Sequence, residues 1–313
     1  MNQNRTLVLG IATTYRWTDV ANFVVSLRST GFNGDIALLV ERKWLQTNDF
    51  TQFARHGVKP IEIFSILSRI PERIRRFRFS PAACWMHQHA NSLAVQLLGR
   101  SRPHPRLNCA LAWFHPVHSA RFFFYQNLVE AAGEAYSHIV LSDVRAVIFQ
   151  SDPERWQSEA PLTFFLETPR PIVAAEPTNA RWISRMYGQD TLARIGTARV
   201  TCSGVFHAAR HGMLEYLREM TQELASHAGT IRGEIGFDQG VHNFLLHSGR
   251  FPTAAVWENG EGLVLNMHGL QPDEWRVSGE GTVSTPCGNV VPVIHQYDRH
   301  PALKESIVSK FHN

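Results

Sequence analysis

The chain has 313 residues, 44% hydrophobic and 19% charged, so it can bury a sizeable core and is not disordered over most of its length. Lys plus Arg number 31 against 27 Asp plus Glu, and a formal charge of +4 does not by itself point to nucleic acid. Cys84, Cys109, Cys202 and Cys287 are too scattered for a disulfide scaffold or a structural zinc site. No stretch approaches ~18 uninterrupted apolar residues, so no bilayer-spanning segment is expected. The short apolar run after Met1–Arg5 lacks the pattern of a secretory leader. The expectation is one soluble, cytoplasmic domain over residues 1–313.

Leu7–Thr13 reads as a buried first strand. Asp19 is expected to cap a helix over Val20–Ser29, which Gly31 stops. Ile36–Val40 and Ile61–Phe64 read as the next strands, and strand, helix, strand at this spacing opens a parallel α/β sheet. Arg69–Arg78 is a basic run, Ala82–Leu98 a helix and Ser101–Arg106 a Pro-rich loop. Ser119–Ala132 has helical spacing of Phe123, Phe124, Leu128 and Ala131, and His138–Val144 is another buried strand. Further strands are expected at Ile172–Glu176, Val200–Phe206, Leu263–Met267 and Val291–Tyr297. Helices are expected over Gly212–Ala225, Gln239–His247 and from Pro301 to Lys310.

The most informative segment is His138–Pro153, HIVLSDVRAVIFQSDP. An apolar strand runs straight into Asp143, and ligands of open parallel sheets bind outside the carboxyl ends of the strands. An acidic residue there can hold a divalent ion that neutralises a diphosphate. A plain turn at Asp143 and another at Asp152-Pro153 is the competing reading.

LSDVRAVIFQSDP resembles the acidic motif of nucleotide-sugar-dependent glycosyltransferases with the GT-A fold, in the branch whose signature reads roughly D-V-R-D-V-x-F-Q-x-D-P. Other blocks fall in the order of that branch: His118–Tyr125, Phe164–Glu167, Asn179–Gly188, Thr201–Gly204, Gly236–Gly240 and Val293–Pro301. The resemblance runs from about Leu7 to Pro301. It implies a GT-A-like, Rossmann-like, mostly parallel sheet flanked by helices. Residues 1–150 would bind nucleotide, and 151–313 sugar and acceptor. Where the branch carries a second Asp, this chain has Ala146, which weakens the metal site.

The resemblance implies a role for each matching residue. Thr13 and Tyr15 would hold the base and ribose, Tyr15 by stacking. Arg121, Asp143 and Arg145 would manage the diphosphate, the arginines by binding phosphate oxygens bidentately. Ser203 and Gly204 would lie by the sugar. Asp238 and Gln239 would act beside the anomeric carbon, with retention favoured over inversion; a helix N-cap is the competing reading for Asp238. Asp143 and His295 would hold Mn2+ or Mg2+, or Arg145 and Arg121 would replace the ion's charge; Asp298 would orient His295, bind phosphate-bound metal or cap a turn. The expected partners are a nucleoside-diphosphate sugar and a glycan or other hydroxyl acceptor, and nucleic acid is not an expected partner. The basic run, interleaved with Phe77 and Phe79, would suit an anionic acceptor or peripheral contact with a membrane surface, or be a solvated face. A transferase that has lost turnover but still binds nucleotide or glycan is the alternative. A nucleotidyltransferase ranks third, because GIATTYRW lacks the Gly-rich loop that chemistry uses.

Overall fold

Apolar runs without polar alternation form strands buried on both faces, and these belong in the middle of a parallel sheet. β1 (Thr6–Ile11) is such a run, with all six residues buried. The structure is a computed structural model and describes residues 5–13, 15–47, 50–64, 76–98, 105–156, 158–167 and 172–311. The other strands are β2 (Asp35–Glu41), β3 (Val58–Ile63), β4 (His138–Ser142), β5 (Val147–Phe149), β6 (Leu162–Phe165), β7 (Val205–Ala209), β8 (Ala255–Trp257), β9 (Val264–Asn266), β10 (Arg276–Val277), β11 (Val283–Ser284) and β12 (Val293–His295).

Seven strands form the main sheet in the order β3-β2-β1-β4-β7-β6-β8. β1 is parallel to β2 and β4, β2 to β3, and β6 to β8; β7 alone runs against its neighbours β4 and β6. The expected mostly parallel α/β sheet with flanking helices is therefore present. Strand alternation divides the core into two layers. Leu7, Leu9 and Ile11 face the helices Val117–Ala131, Arg210–Ser226 and Phe237–His247. Val8 faces the helix Trp17–Ser29, whose Val20, Phe23, Val24 and Leu27 are fully buried. Truncating one of these, such as Leu27→Ala, costs ~2–5 kcal/mol by cavity formation.

A smaller sheet, β5-β12-β9, lies against that same helix. Phe149 N donates to Ser26 Oγ at 3.0 Å, and the rings of Phe23 and Phe149 meet edge to face. β12 pairs antiparallel with β5, with His295 opposite Val147. This pairing carries the end of the chain to the residues that follow β4.

Several expectations are corrected. Ile172–Glu176 is not a strand: it makes one bridge, Ile172 to Arg199, then curls, with Ala175 N and Glu176 N both on Ile172 O. Glu176 then accepts from Thr178 N and Asn179 N to start the helix Pro177–Tyr187. Of Val200–Phe206, only Val205 and Phe206 lie in a strand, because the chain turns at Ser203-Gly204 first. Asp19 sits inside its helix and accepts from Arg16 N at 2.7 Å. Asp238 is likewise inside its helix, for which Gly236 is the N-cap. β6 and β8 were not anticipated as strands. Most of the Arg69–Arg78 run and residues 101–104 of the Pro-rich loop lie outside the described residues. Among the described residues, no helix is long and apolar enough to cross a membrane.

Candidate active site

Chain segments from both sheets converge beyond the carboxyl ends of β1 and β4. A cleft of about 260 Å³ there is lined by Tyr15 after β1, by Asp143, Arg145 and Ala146 after β4, and by His295, Asp298 and Arg299 at and after β12. His118, from the start of the helix Val117–Ala131, completes the wall. Parallel sheets gather ligands at this edge because their loops meet there.

Asp143 is the hub. Its backbone N donates to Gly204 O at 2.6 Å, which ties the end of β4 to the turn before β7. Arg121 Nη1 donates to Asp143 Oδ1 at 2.5 Å, and Arg121 Nη2 donates to Asp238 Oδ2 at 3.1 Å. Arg121 and Asp238 are both buried, so one guanidinium holds a helix start and a strand end together. Asp143 keeps 37% of its side chain open to the cleft. Burial alone would raise its pKa, but the Arg121 guanidinium and His295 hold the carboxyl well below the usual range.

His295 Nε2 lies 3.6 Å from Asp143 Oδ2. Its Nδ1 is 2.8 Å from Asn266 Oδ1, and Asn266 Nδ2 donates to Leu166 O at 3.0 Å. The Asn266 amide oxygen accepts from the Nδ1 proton, which fixes the ring with its Nε2 towards Asp143. A carboxylate oxygen and an imidazole nitrogen thus converge on one point. Gly204 keeps that point open: a Cβ there would stand 2.4 Å from His295 Cε1 and 2.9 Å from Asp143 Oδ2. The described residues hold no group of three or more His, Cys, Asp or Glu able to bind a metal. An ion on Asp143 and His295 needs oxygens from a bound ligand to complete its shell. Ala146, where a second carboxylate was sought, has left-handed backbone with φ 57°, and its O accepts from Gln296 N at 2.7 Å.

A second cleft, about 580 Å³, shares Gln296 and Arg299 with the first. Glu167, Glu176, Asn179, Trp182, Gln239 and His268 line it. The G-F-D-Q-G segment builds one wall. A Cβ on Gly236 would stand 2.3 Å from Trp182, and one on Gly240 would stand 2.8 Å from it, so two glycines admit the indole against the helix start. Gly236 also has φ 99°, which favours glycine. Gln239 Nε2 then donates to Glu167 Oε1 at 2.9 Å. Burial pushes the Glu167 carboxyl up to about 7, against the lowering effect of that hydrogen bond. Trp182 Nε1 and Gln296 Oε1 are buried and have no protein partner. Asn243 clamps the loop before Gly204 to this helix: its Oδ1 accepts from Thr201 N at 2.8 Å and its Nδ2 donates to Thr201 O at 3.0 Å.

The structure therefore brings Tyr15, Asp143, Arg145 and His295 to one cleft and Gln239 to its neighbour. Arg121 and Asp238 lie beneath them as an ion pair. Thr13 and Ser203 are half-buried, beside Ala12 at the end of β1 and beside Gly204. Asp152 is a local cap, accepting from Glu154 N at 2.9 Å. Tyr187 stacks on Phe244 in the interior, with ring centroids 3.6 Å apart. Sequence reasoning gave no role to Asn266, Asn243, Glu167, His118 or Arg299. Arg299 and Glu167 lay inside quoted blocks and were findable there. Asn266 had no signal, since its role depends on β9 pairing with β12. No protein-family model matches the chain, and no curated protein matches it in sequence.

Proposed function

We propose that the chain is a GT-A-like glycosyltransferase, moving a sugar from a nucleoside-diphosphate sugar to an acceptor hydroxyl with retention. One observation carries the reading: Tyr15, Asp143, Arg145, His295 and Arg299, from distant parts of the chain, line a single cleft at the carboxyl edge of the sheet. Tyr15 offers a face for the base. Arg145 and Arg299 supply two cations for the diphosphate, and stabilising that leaving group is the main demand of the reaction. Arg121 works through Asp143, fixing its position and keeping it ionised.

The residues fit a divalent ion on two counts: the facing Asp143 and His295, and the Gly204 cradle. Such an ion, Mn2+ or Mg2+, would add positive charge against the departing diphosphate. An imidazole ligand suits the transition-metal ion better. The second cleft takes the sugar. Gln239 and a protonated Glu167 are suited to hydrogen-bond its hydroxyls, and the unpartnered Trp182 Nε1 and Gln296 Oε1 add to that polar lining. Asp238 contributes negative charge from below, paired with Arg121.

A second reading, nucleotide or glycan binding without turnover, is favoured by Ala146 in place of a carboxylate. One experiment separates them. The melting temperature and sugar release are measured with UDP-, GDP-, ADP- and dTDP-sugars, each with Mn2+, Mg2+ or EDTA. Stabilisation by one nucleotide together with sugar release supports the transferase. Stabilisation with no release, even with added acceptors, supports the binder. No stabilisation by any nucleotide refutes the transferase and nucleotide binding alike.

A further inference from the structure

Over residues 81–93 the helix Pro81–Leu98 exposes its large apolar side chains. It contains no charged residue, and it buries Ala83, Cys84, His87 and Asn91. On its other side Trp85, Met86 and Leu93 are exposed, at 58%, 55% and 55%. Positions 85, 86, 89 and 93 share one face at helical spacing, while 83, 84, 87 and 91 share the opposite one. A helix that only served the core would do the reverse. Two large apolar side chains near this helix are exposed as well. Phe77, just before the helix, is 60% exposed. Ile235 is 63% exposed and follows the short helix Ala228–Ile231, which packs on Pro81–Leu98. Gly229 in that short helix approaches Gln88, and Gly233 abuts Phe79.

The sequence that carries this helix is one-sided in charge. From residue 73 to residue 129 the sequence has no Asp or Glu and eight Arg. The rest of the chain carries 23 basic against 27 acidic side chains, so the positive excess comes entirely from this stretch. Arg76, beside Phe77, and Arg232, three residues before Ile235, are exposed. The nearby Glu234 is held by Arg181 and Arg185.

We propose that this face, formed by Phe77, Trp85, Met86, Leu93 and Ile235 and edged by Arg76 and Arg232, docks on an anionic lipid surface. Trp, Phe, Met and Ile side chains enter the boundary between headgroups and acyl chains, while guanidinium groups remain at the phosphates. Charge decides the occupant. A second copy docking through the same face would bring the exposed Arg76 and Arg232 of one copy towards those of the other. A nucleic acid would pair with the arginines but leave Met86, Leu93 and Ile235 without use. An anionic bilayer satisfies both the apolar face and its rim. The inference is independent of the sugar chemistry, and its failure would leave the cleft reading intact.

The test is co-flotation of the full chain with phosphatidylcholine vesicles, with and without phosphatidylglycerol. The expected result is flotation with the anionic vesicles, at least about tenfold weaker with the neutral ones and weakened by salt. The triple variant Trp85→Gln, Met86→Gln, Leu93→Gln is expected to lose about tenfold or more in partitioning at an unchanged melting temperature, because all three side chains are exposed. Arg76→Gln with Arg232→Gln is expected to lose the preference for anionic lipid. Failure of the unaltered chain to float, or equal flotation of the triple variant, overturns the proposal. So does a lipid-free dimer, seen by sedimentation, that the triple variant abolishes.

Discussion

Replacing Glu167 by Gln measures how closed the second cleft is. The side chain is 7% exposed and accepts hydrogen bonds from Gln239 and from the Cys202 thiol. Burial raises its pKa from the ordinary 4.5 to about 7. The unfolded chain keeps the ordinary value, so the folded state binds this proton more tightly. The stability this confers is fully present below about pH 4.5 and is lost as the pH rises through about 7. At ~1.4 kcal/mol per pKa unit, the loss is on the order of 3 kcal/mol. Glu167→Gln keeps the shape and the acceptor oxygen for Gln239 but cannot ionise. Urea unfolding of both proteins at pH 5 and pH 8 gives four free energies. The stability of the unaltered protein relative to the variant should fall by about 2.5 kcal/mol between the two pH values, because part of the effect is already lost at pH 5. Other titrating groups are common to both proteins and cancel. A relative stability flat to within ~1 kcal/mol would refute the reasoning, since a carboxyl with an ordinary pKa is not desolvated.

Two further substitutions probe the scaffold of the site. Arg121→Ala leaves Asp143 and Asp238 without their shared cation and should cost about 3–5 kcal/mol in denaturant unfolding; a loss below ~1 kcal/mol would mean that water already screens the pair. Gly204→Ala drives a Cβ into His295 and Asp143 and should cost ~1–3 kcal/mol while abolishing any Mn2+-dependent rise in melting temperature. Gly279→Ala, where a Cβ meets nothing within 4 Å, should change neither. Equal behaviour of the two alanine variants would sink the cradle argument.

The sheet was largely legible because its strands announce themselves locally. Leu7–Ile11, Ile36–Val40 and Ile139–Leu141 are uninterrupted apolar runs, and burial on both faces demands such runs. Ile172–Glu176 has the same apolar look but follows a proline, and its backbone found partners in a turn instead of a neighbouring strand. β8 could not be read, since its three residues are half-exposed and owe their conformation to pairing with β6. The site divides in the same way. Asp143, Arg145 and His295 stand at the ends of readable strands, and they do meet. The partnership of Arg121 with Asp238 spans 117 positions and is a property of the folded chain alone. Glu167 was visible as a residue, but its proton affinity comes from the walls of a cleft.

The backbone at Ala146 has a consequence for redesign. Left-handed φ costs an alanine roughly 1–2 kcal/mol relative to ordinary backbone, and Asp adopts that region more readily. The bond from Gln296 N to Ala146 O holds the loop in this shape, and Gln296 itself has φ 61°. The peptide is therefore already bent as an aspartate would accept it, at a position that lines the cleft with Asp143 and His295. Ala146→Asp suits the local backbone and would add carboxylate oxygens to the lining that holds Asp143 and His295. Mn2+ titration of the ligand-free variant would then saturate at a lower concentration than for the parent. Ion affinity at this edge of the sheet becomes adjustable through one side chain, with the scaffold left as it is.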